Sequence, residues 1–331
     1  MPCADVIVSI VIPVYNGELY IEQTIRSLLS QTLLNFEIIC VDDSSTDNSL
    51  KIIEQLRSID DRIKIYTKAN GGIAASAVKF GLQYSTGEFF MYASQDDLFS
   101  PDLLEKGVES AKKFGSDAIV PEMFLYYSDT DLRPFNSDKR LLGTTITGKE
   151  AFTLSLKWTI HGFVLWRMDT VKKVGYFDFN ISSDEYTTRM LFYNSTKVSF
   201  SDGVFYYRQN NPNAITKKWN INQIGFVETN LKLLFFLEEN NFTEKEFLVV
   251  GKNVLNELVR VNTLYWKNRA LMDNALDIKY QIAMTALYHE AMSAVRNLKL
   301  EGLKLIFRFL FVTNGYRLFS IFCRIKSKIT T

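Results

Sequence analysis

A chain of 331 residues with 47% hydrophobic and 14% aromatic side chains can bury a sizeable core and exceeds the size of a typical single domain. Its formal net charge of +1 excludes a general nucleic-acid binder. The three cysteines, Cys3, Cys40 and Cys323, lie too far apart for a disulfide framework or a zinc site. With no basic leader before the first apolar run and no uncharged apolar stretch of about eighteen residues, the expectation is a cytoplasmic protein.

The first hundred residues alternate strand and helix patterns. Val6 to Val14 is a continuous β-branched run suited to a strand buried on both faces. Glu18 to Gln31 places Ile21, Ile25, Leu28 and Leu29 at helical spacing. Phe36 to Val41 reads as a second buried strand, followed by a helix with Leu50, Ile53 and Leu56, and 62–67 as a third strand. Asn70-Gly71-Gly72 leads into a helix ending near Gly87, and Glu88 to Ala93 is a fourth strand. After it, Ser100 and Pro101 read as the cap and first residue of another helix. This βαβαβ alternation predicts an α/β fold, a mostly parallel Rossmann-like sheet with flanking helices that binds ligands beyond the carboxyl ends of its strands.

Three successive strand ends then bring polar residues to one edge: Tyr15 and Asn16, Asp42 and Asp43, Asp96 and Asp97. A carboxylate closing the second strand suits a ribose or base edge, but no Gly-x-Gly-x-x-Gly follows the first strand to take a diphosphate. A divalent cation held by Asp97 is the substitute, since magnesium or manganese needs only one or two carboxylates when a diphosphate supplies further oxygens. The competing reading for Asp42 and Asp43 is turn and cap chemistry.

The stretches SIVIPVYNGELYIEQTIRSLLSQTLLNFEIICVDDSSTDNS (9–49), Asn-Gly-Gly (70–72) and TGEFFMYASQDD (86–97) resemble the nucleotide-sugar-binding half of family 2 glycosyltransferases. HGFVLWRMDTVKKVGYFD and SSDEYTTRML, within 161–216, resemble more weakly the family's acceptor half. The resemblance implies a GT-A fold over 1–218, donor half 1–98 and acceptor half 99–218, and an inverting, metal-dependent glycosyl transfer from a nucleotide-diphosphate sugar, a UDP-sugar first, to a glycan or lipid-linked acceptor in surface-polysaccharide synthesis. It implies that Pro13 and Tyr15 line the base, Asp42 or Asp43 holds it, Asp96 meets the ribose and Asp97 the Mn2+ or Mg2+. Asn16, Asn70 and Gly71 complete the donor crevice. Ser94 stands where many members carry a further Asp, and Ala77-Val78-Lys79 where Ala-Arg-Asn is common, with Lys79 as a replacement charge. Asn210 stands where a His often follows the Arg, leaving Arg208, Lys217 or Lys218 to meet the diphosphate.

Inverting transfer needs a base for the acceptor hydroxyl. Asp184 and Glu185, opening a helix that runs through Arg189 to Tyr193, are the candidates, with Asp184 preferred. Ser182-x-x-Glu185 also reads as a capping box. His161 reads as a structural histidine, with acceptor contact as its alternative. Two rival functions stand beside this one: a catalytically silent nucleotide-sugar-binding or scaffold protein, and a nucleotidyltransferase.

Beyond Trp219 helical spacing takes over. Ile224, Val227, Leu231 and Leu234 make one stripe; Phe247, Val250, Val254 and Leu258 make another after a Thr243–Glu246 capping box. Residues 296–331 hold eight basic side chains against one acidic, a net +7 that leaves −6 for the rest of the chain. Interleaved with aromatics, this end of the helical region 219–331 suits peripheral contact with the inner face of the cell membrane, or association with a second copy.

Overall fold

A computed structural model describes residues 6–135, 138–214, 217, 219–297 and 316–329. Cys3, Lys218 and, of the basic end 296–331, residues 298–315 and 330–331 lie outside the described residues. The chain divides into two compact units, one made of Met1–Phe179 and Ser183–Asn211, the other of Asn180–Ser182 and Pro212–Thr331.

The first unit is built on one mixed sheet. β1 (Val8–Val14) pairs in parallel with β2 (Phe36–Asp42) and β4 (Phe89–Tyr92), and β2 with β3 (Ile63–Thr67). β1 and β2 are buried almost throughout, as their unbroken β-branched runs require. Pro13 lies beyond the last β1–β4 pair, Val11 with Tyr92, where pairing on that side has ended. Helices α1 (Ile21–Leu29), α2 (Ser49–Arg57) and α3 (Ala74–Leu82) connect these strands and bury Ile21, Ile25 and Leu28, then Ile53 and Leu56, then Ala77 and Val78. A Cβ on Gly81 of α3 would stand 2.6 Å from Val11 Cγ1, so only glycine lets this helix lie so close to the sheet.

Beyond β4 the sheet turns mixed. Its order is β3-β2-β1-β4-β9-β6-β10-β5, with β5 (Leu98–Phe99), β6 (Ala118–Ser128), β9 (Leu165–Arg167) and β10 (Lys197–Arg208). β7 (Asp131–Pro134) and β8 (Thr145–Thr147) attach to its rim. β9 runs antiparallel to both β4 and β6, and β5 antiparallel to β10, while β6 and β10 are parallel. Helices α4 (Leu103–Phe114), α5 (Gly148–Ser155), α6 (Met168–Val174) and α7 (Ser183–Asn194) complete the unit.

Several helix starts differ from the sequence expectation. α1 begins at Ile21 and ends at Leu29, inside the predicted 18–31, and α3 ends at Leu82, well before Gly87. Asp102, not Ser100, precedes α4; the Ser100 hydroxyl instead accepts from Val204 N–H at 2.9 Å, tying β5 to β10. Tertiary pairing outweighs the local capping signal here.

In the second unit, α8 (Gly225–Glu239), α9 (Glu244–Asn268), α10 (Asn274–Asn297) and α11 (Tyr316–Ile329) follow one another. Both predicted stripes are buried, and Glu246 accepts from Thr243 N–H at 3.2 Å as the capping box requires. Among the described residues no helix is long and apolar enough to cross a membrane.

One buried carboxylate holds the sheet at the end opposite the polar edge. Glu37 on β2 accepts from the Ser9 hydroxyl at 2.5 Å and from Thr86 N–H at 2.7 Å, and pairs with Lys64. Burial alone would raise its pKa, but the hydrogen bonds from Lys64, Ser9 and Thr86 outweigh it and hold the group below its usual range. Its contribution to stability is therefore present above the ordinary carboxylate pKa and lost as pH falls through the lower folded value. Glu37→Gln is expected to cost about 1–3 kcal/mol in urea unfolding at neutral pH. The difference from the parent should shrink in acid, and a pH-independent difference would contradict the assignment.

Candidate active site

The parallel strand ends do converge. Tyr15 N–H donates to Gln95 Oε1 at 2.9 Å and Gln95 Nε2 returns a bond to the Tyr15 carbonyl at 3.1 Å, joining the ends of β1 and β4. A Cβ at Gly17 would stand 2.5 Å from Gln95 Oε1, so any larger residue there would displace the Gln95 amide from this bridge. Asn16 Oδ1 accepts from Thr46 N–H at 2.8 Å, joining β1 to the turn after β2. Asn16 (φ 50°) and Ser44 (φ 64°) both hold left-handed backbone, so two non-glycine residues are strained at this one edge.

The acidic residues of the edge are individually committed. Asp42 accepts from Ser45 N–H at 3.2 Å, closing the turn after β2. Asp43 accepts from Lys68 Nζ at 2.7 Å and from Gly71 N–H at 2.9 Å, so it shapes the 68–71 loop. Asn70 Oδ1 accepts from Gly72 N–H at 2.7 Å. Pro13 is partly buried and Tyr15 is 49% exposed at this edge.

Asp96 and Asp97 occupy different environments. Asp96 is partly exposed and accepts from Asn211 Nδ2 at 2.7 Å. Asp97 is wholly buried; Oδ1 accepts from Arg208 N–H at 2.9 Å, while Oδ2 has no hydrogen-bond partner. Burial first and the Asp96 charge second push its pKa well above the usual 3.8, against the hydrogen bonds of the Arg208 N–H and the Ser94 side chain. A buried, unpartnered carboxylate oxygen is costly unless it gains a proton or a cation. Two adjacent carboxylates of this kind fit a hard divalent ion completed by diphosphate oxygens. Among the described residues no group of three or more His, Cys, Asp or Glu converges to hold a metal by protein ligands alone.

Arg208 is placed differently from the sequence expectation. It is buried, donates Nε–H to the Asp96 carbonyl and Nη2–H to Gln23 Oε1 at 2.9 Å, and lies over the rings of Tyr20 and Tyr126 at 4.7 and 4.9 Å. Its guanidinium is thus consumed in joining α1, β4 and β10, which makes it a positioning residue. Lys79 pairs with Asp178 at 2.8 Å.

A second cluster stands at the start of α7. Asp184 and Glu185 line a pocket with Tyr92, Phe163, Tyr176 and Trp158. Glu185 is paired with Arg189 one turn on, which replaces the capping-box role predicted for its carboxylate. The Asp184 pKa rises from 3.8 to about 7, first by burial and then by the Glu185 charge, against hydrogen bonds from the backbone of Asp184 and Glu185. Two carboxylates side by side have divided the work: one is held by a cation, the other poised near neutrality. His161 is buried with Nε2 at 2.9 Å from the Pro121 carbonyl, and burial lowers its pKa to about 4, so it is a structural residue. Gln95, Trp158 and Arg189 escaped sequence reading because each acts through a partner distant in the chain or across a helix turn.

The family model of glycosyl transferase family 2 matches residues 9–175, just over half the chain. The chain belongs to glycosyl transferase family 2. A cholesterol galactosyltransferase of Borreliella burgdorferi is 31% identical over 216 residues, 60% of this chain and 59% of that protein. S. aureus TarS, solved with UDP-GlcNAc, superposes with a TM-score of 0.62 at 18% identity over 87% of this chain and 81% of the TarS chain. The mannosyltransferase PcManGT of Pyrobaculum calidifontis, solved with GDP-Man and Mn2+, does so with a TM-score of 0.50 at 13% identity over 99% of this chain and 89% of that one. The glycosyltransferase therefore has the GT-A type of fold: a mostly parallel mixed sheet with flanking helices.

The folded state holds the Asp184 proton between the ordinary carboxylate pKa and about 7, where the unfolded chain has released it, so this group's contribution to stability falls as pH rises across that window. Asp184→Asn removes the effect. The variant should gain melting temperature relative to the parent at pH 8 but not at pH 4, whereas an equal change at both pH values would contradict the shift.

Proposed function

We propose that this glycosyltransferase moves a hexosyl or N-acetylhexosaminyl group from a nucleotide-diphosphate sugar, a UDP-sugar first, to a glycan or lipid-linked acceptor, with inversion, in surface-polysaccharide synthesis. The observation that carries the reading is Asp184: a carboxyl with pKa about 7 lining an aromatic pocket, in the same unit as the polar strand edge. That value suits a general base at neutral pH. Asp184 takes the proton of the acceptor hydroxyl, whose oxygen forms the new bond to the anomeric carbon as the bond to the diphosphate breaks and its electron pair leaves with the nucleotide. The Glu185 charge raises the basicity of Asp184, and Arg189, paired with Glu185, partly offsets it.

At the strand edge, Pro13 and Tyr15 line the base, the Asp42 and Asp43 turns and the Asn70–Gly71 loop shape its pocket, and Asp96 meets the ribose. Asp97, with Asp96 beside it, would hold the divalent cation, which when bound supplies Lewis-acid stabilisation of the departing diphosphate. The unpartnered Asp97 Oδ2 supports this assignment.

Peripheral membrane contact is part of the proposal, and α11 supports it. Phe319, Cys323 and Ser327 are buried on one side of this helix. Leu318, Ile321, Phe322 and Ile325 are exposed and, at about 100° per residue, share the opposite side. Arg317, Arg324 and Lys328 flank them on one edge and Lys326 on the other, with no acidic residue in the helix. An apolar stripe between basic flanks matches an anionic bilayer surface, and its net positive charge opposes pairing with a second copy of itself.

Three outcomes test these roles. With Mn2+ and a panel of UDP-sugars, Asp184→Asn should lower turnover by about 10²–10⁴ while donor binding persists, and in the parent kcat/KM should climb with pH through about 7. Near-normal turnover of that variant would place the base elsewhere. Asp97→Asn exchanges a buried charge for a neutral amide, so the fold should persist while the Mn2+ dependence of UDP binding, read by calorimetry, disappears; an unchanged Mn2+ response would remove Asp97 as the ligand. Full-length protein should float with anionic but not neutral liposomes, more weakly at high salt, and Ile321→Asp with Ile325→Asp should abolish it. Failure of the parent to bind any vesicle would end the membrane reading.

A further inference from the structure

The end of α5 carries a residue its backbone does not favour. Lys157 N–H donates to Leu154 O at 3.2 Å, Trp158 N–H to Ser155 O at 3.1 Å, and Thr159 N–H to Leu154 O at 3.1 Å. This closure, with Trp158 at φ 57°, is the left-handed helix ending in which glycine is the usual residue, since it has no Cβ to clash. Any other side chain there costs about 1–2 kcal/mol. Trp158 is 44% exposed, so a large part of this residue faces solvent rather than the core. A chain that needed only to stop the helix would carry glycine.

The ring is fixed beside the proposed base. The Arg189 guanidinium carbon lies 5.4 Å from its centroid, and the same guanidinium is held by Glu185 and by the Ser155 carbonyl. Trp158, Arg189 and Glu185 thus form a connected brace, and Trp158 lines the pocket that also holds Asp184, Tyr92 and Phe163.

We propose that Trp158 is the acceptor-sugar platform, its ring stacking on the C–H face of the pyranose whose hydroxyl Asp184 deprotonates. The proposal rests on the glycosyl-transfer reading, in which Asp184 deprotonates an acceptor hydroxyl. A π face is partially negative and the C–H face of a pyranose partially positive, so the contact is selective for a flat sugar surface. A nucleobase is the less suitable occupant, since Tyr15 is exposed for it at the polar strand edge.

Trp158→Gly tests this cleanly, because glycine suits the left-handed position. Melting temperature should stay within about 4 °C of the parent. The acceptor KM should rise about 10-fold with the donor KM unchanged, and Trp158→Phe should restore it to within about 3-fold. An unchanged acceptor KM in Trp158→Gly, or a large fall in melting temperature with activity lost only in proportion to unfolding, would overturn the proposal. A second reading needs no turnover. The chain has four tryptophans, and the Trp158 indole N–H resonance is assigned by its loss in the glycine variant. With UDP present, methyl β-glycosides of glucose, galactose, mannose, N-acetylglucosamine and N-acetylgalactosamine are titrated in turn. At least one should shift that resonance, and no shift from any of them overturns the platform. A shift without any UDP-sugar binding or turnover would instead sink the glycosyltransferase reading and leave the sugar site standing.

Discussion

The joint between Arg208 and the Asp96–Asp97 pair is the constraint on which the first unit depends. Arg208 ends β10, the long strand of the sheet's mixed side, while the two aspartates follow β4 on its parallel side. A single residue closes the gap with its backbone N–H on Asp97 and its guanidinium on the Asp96 carbonyl and on Gln23 of α1. Burying a guanidinium is tolerable because Tyr20 and Tyr126 cover its faces and carbonyl oxygens satisfy its edges. The cost is passed to Asp97, which is left with one oxygen unpaired in the interior. The architecture thus places an electrostatic deficit next to the partly exposed Asp96, where a cation-bound diphosphate would offset it.

A similar division of labour runs through both acidic pairs. In each, one carboxylate is tied to a neighbour and the other is left with a perturbed proton affinity: Glu185 is paired while Asp184 is raised to about 7, and Asp96 is hydrogen-bonded and partly solvated while Asp97 is buried. Adjacent carboxylates with different surroundings are how one site can hold both a base and a cation ligand at one pH. Asp42 and Asp43 follow a third pattern. Asp42 is spent on a backbone amide and Asp43 on the Lys68 ammonium and the Gly71 amide, so both shape the turns they close.

Much of the parallel side of the sheet could be read from the chain because strands buried on both faces appear as continuous apolar runs. Val6 to Val14 and Phe36 to Val41 could hardly be anything else, and parallel pairing then forces their polar ends together. The other side was opaque for a physical reason. β5 is two residues long and β9 three, too short for any periodicity, and both exist only because long neighbours supply their partners. Capping signals misled for the same reason: the Ser100 hydroxyl accepts from Val204 on a strand about a hundred residues away and donates to Asp102, the residue that precedes the helix in its place. Asp184 and Glu185 were visible as a pair, but their unequal roles come from Arg189 and the aromatic walls. Trp158 left no sequence signal at all, since its meaning lies in a backbone angle.

In the proposed reaction the donor lies across the strand ends with its anomeric carbon toward Asp184. A crystal structure of the protein with Mn2+ and an intact UDP-sugar should therefore show the nucleobase beside Tyr15 and the Asp43-braced loop, the diphosphate at Asp96 and Asp97, and the sugar facing the Asp184 pocket. A nucleotide bound elsewhere, or one whose sugar points away from Asp184, would contradict it.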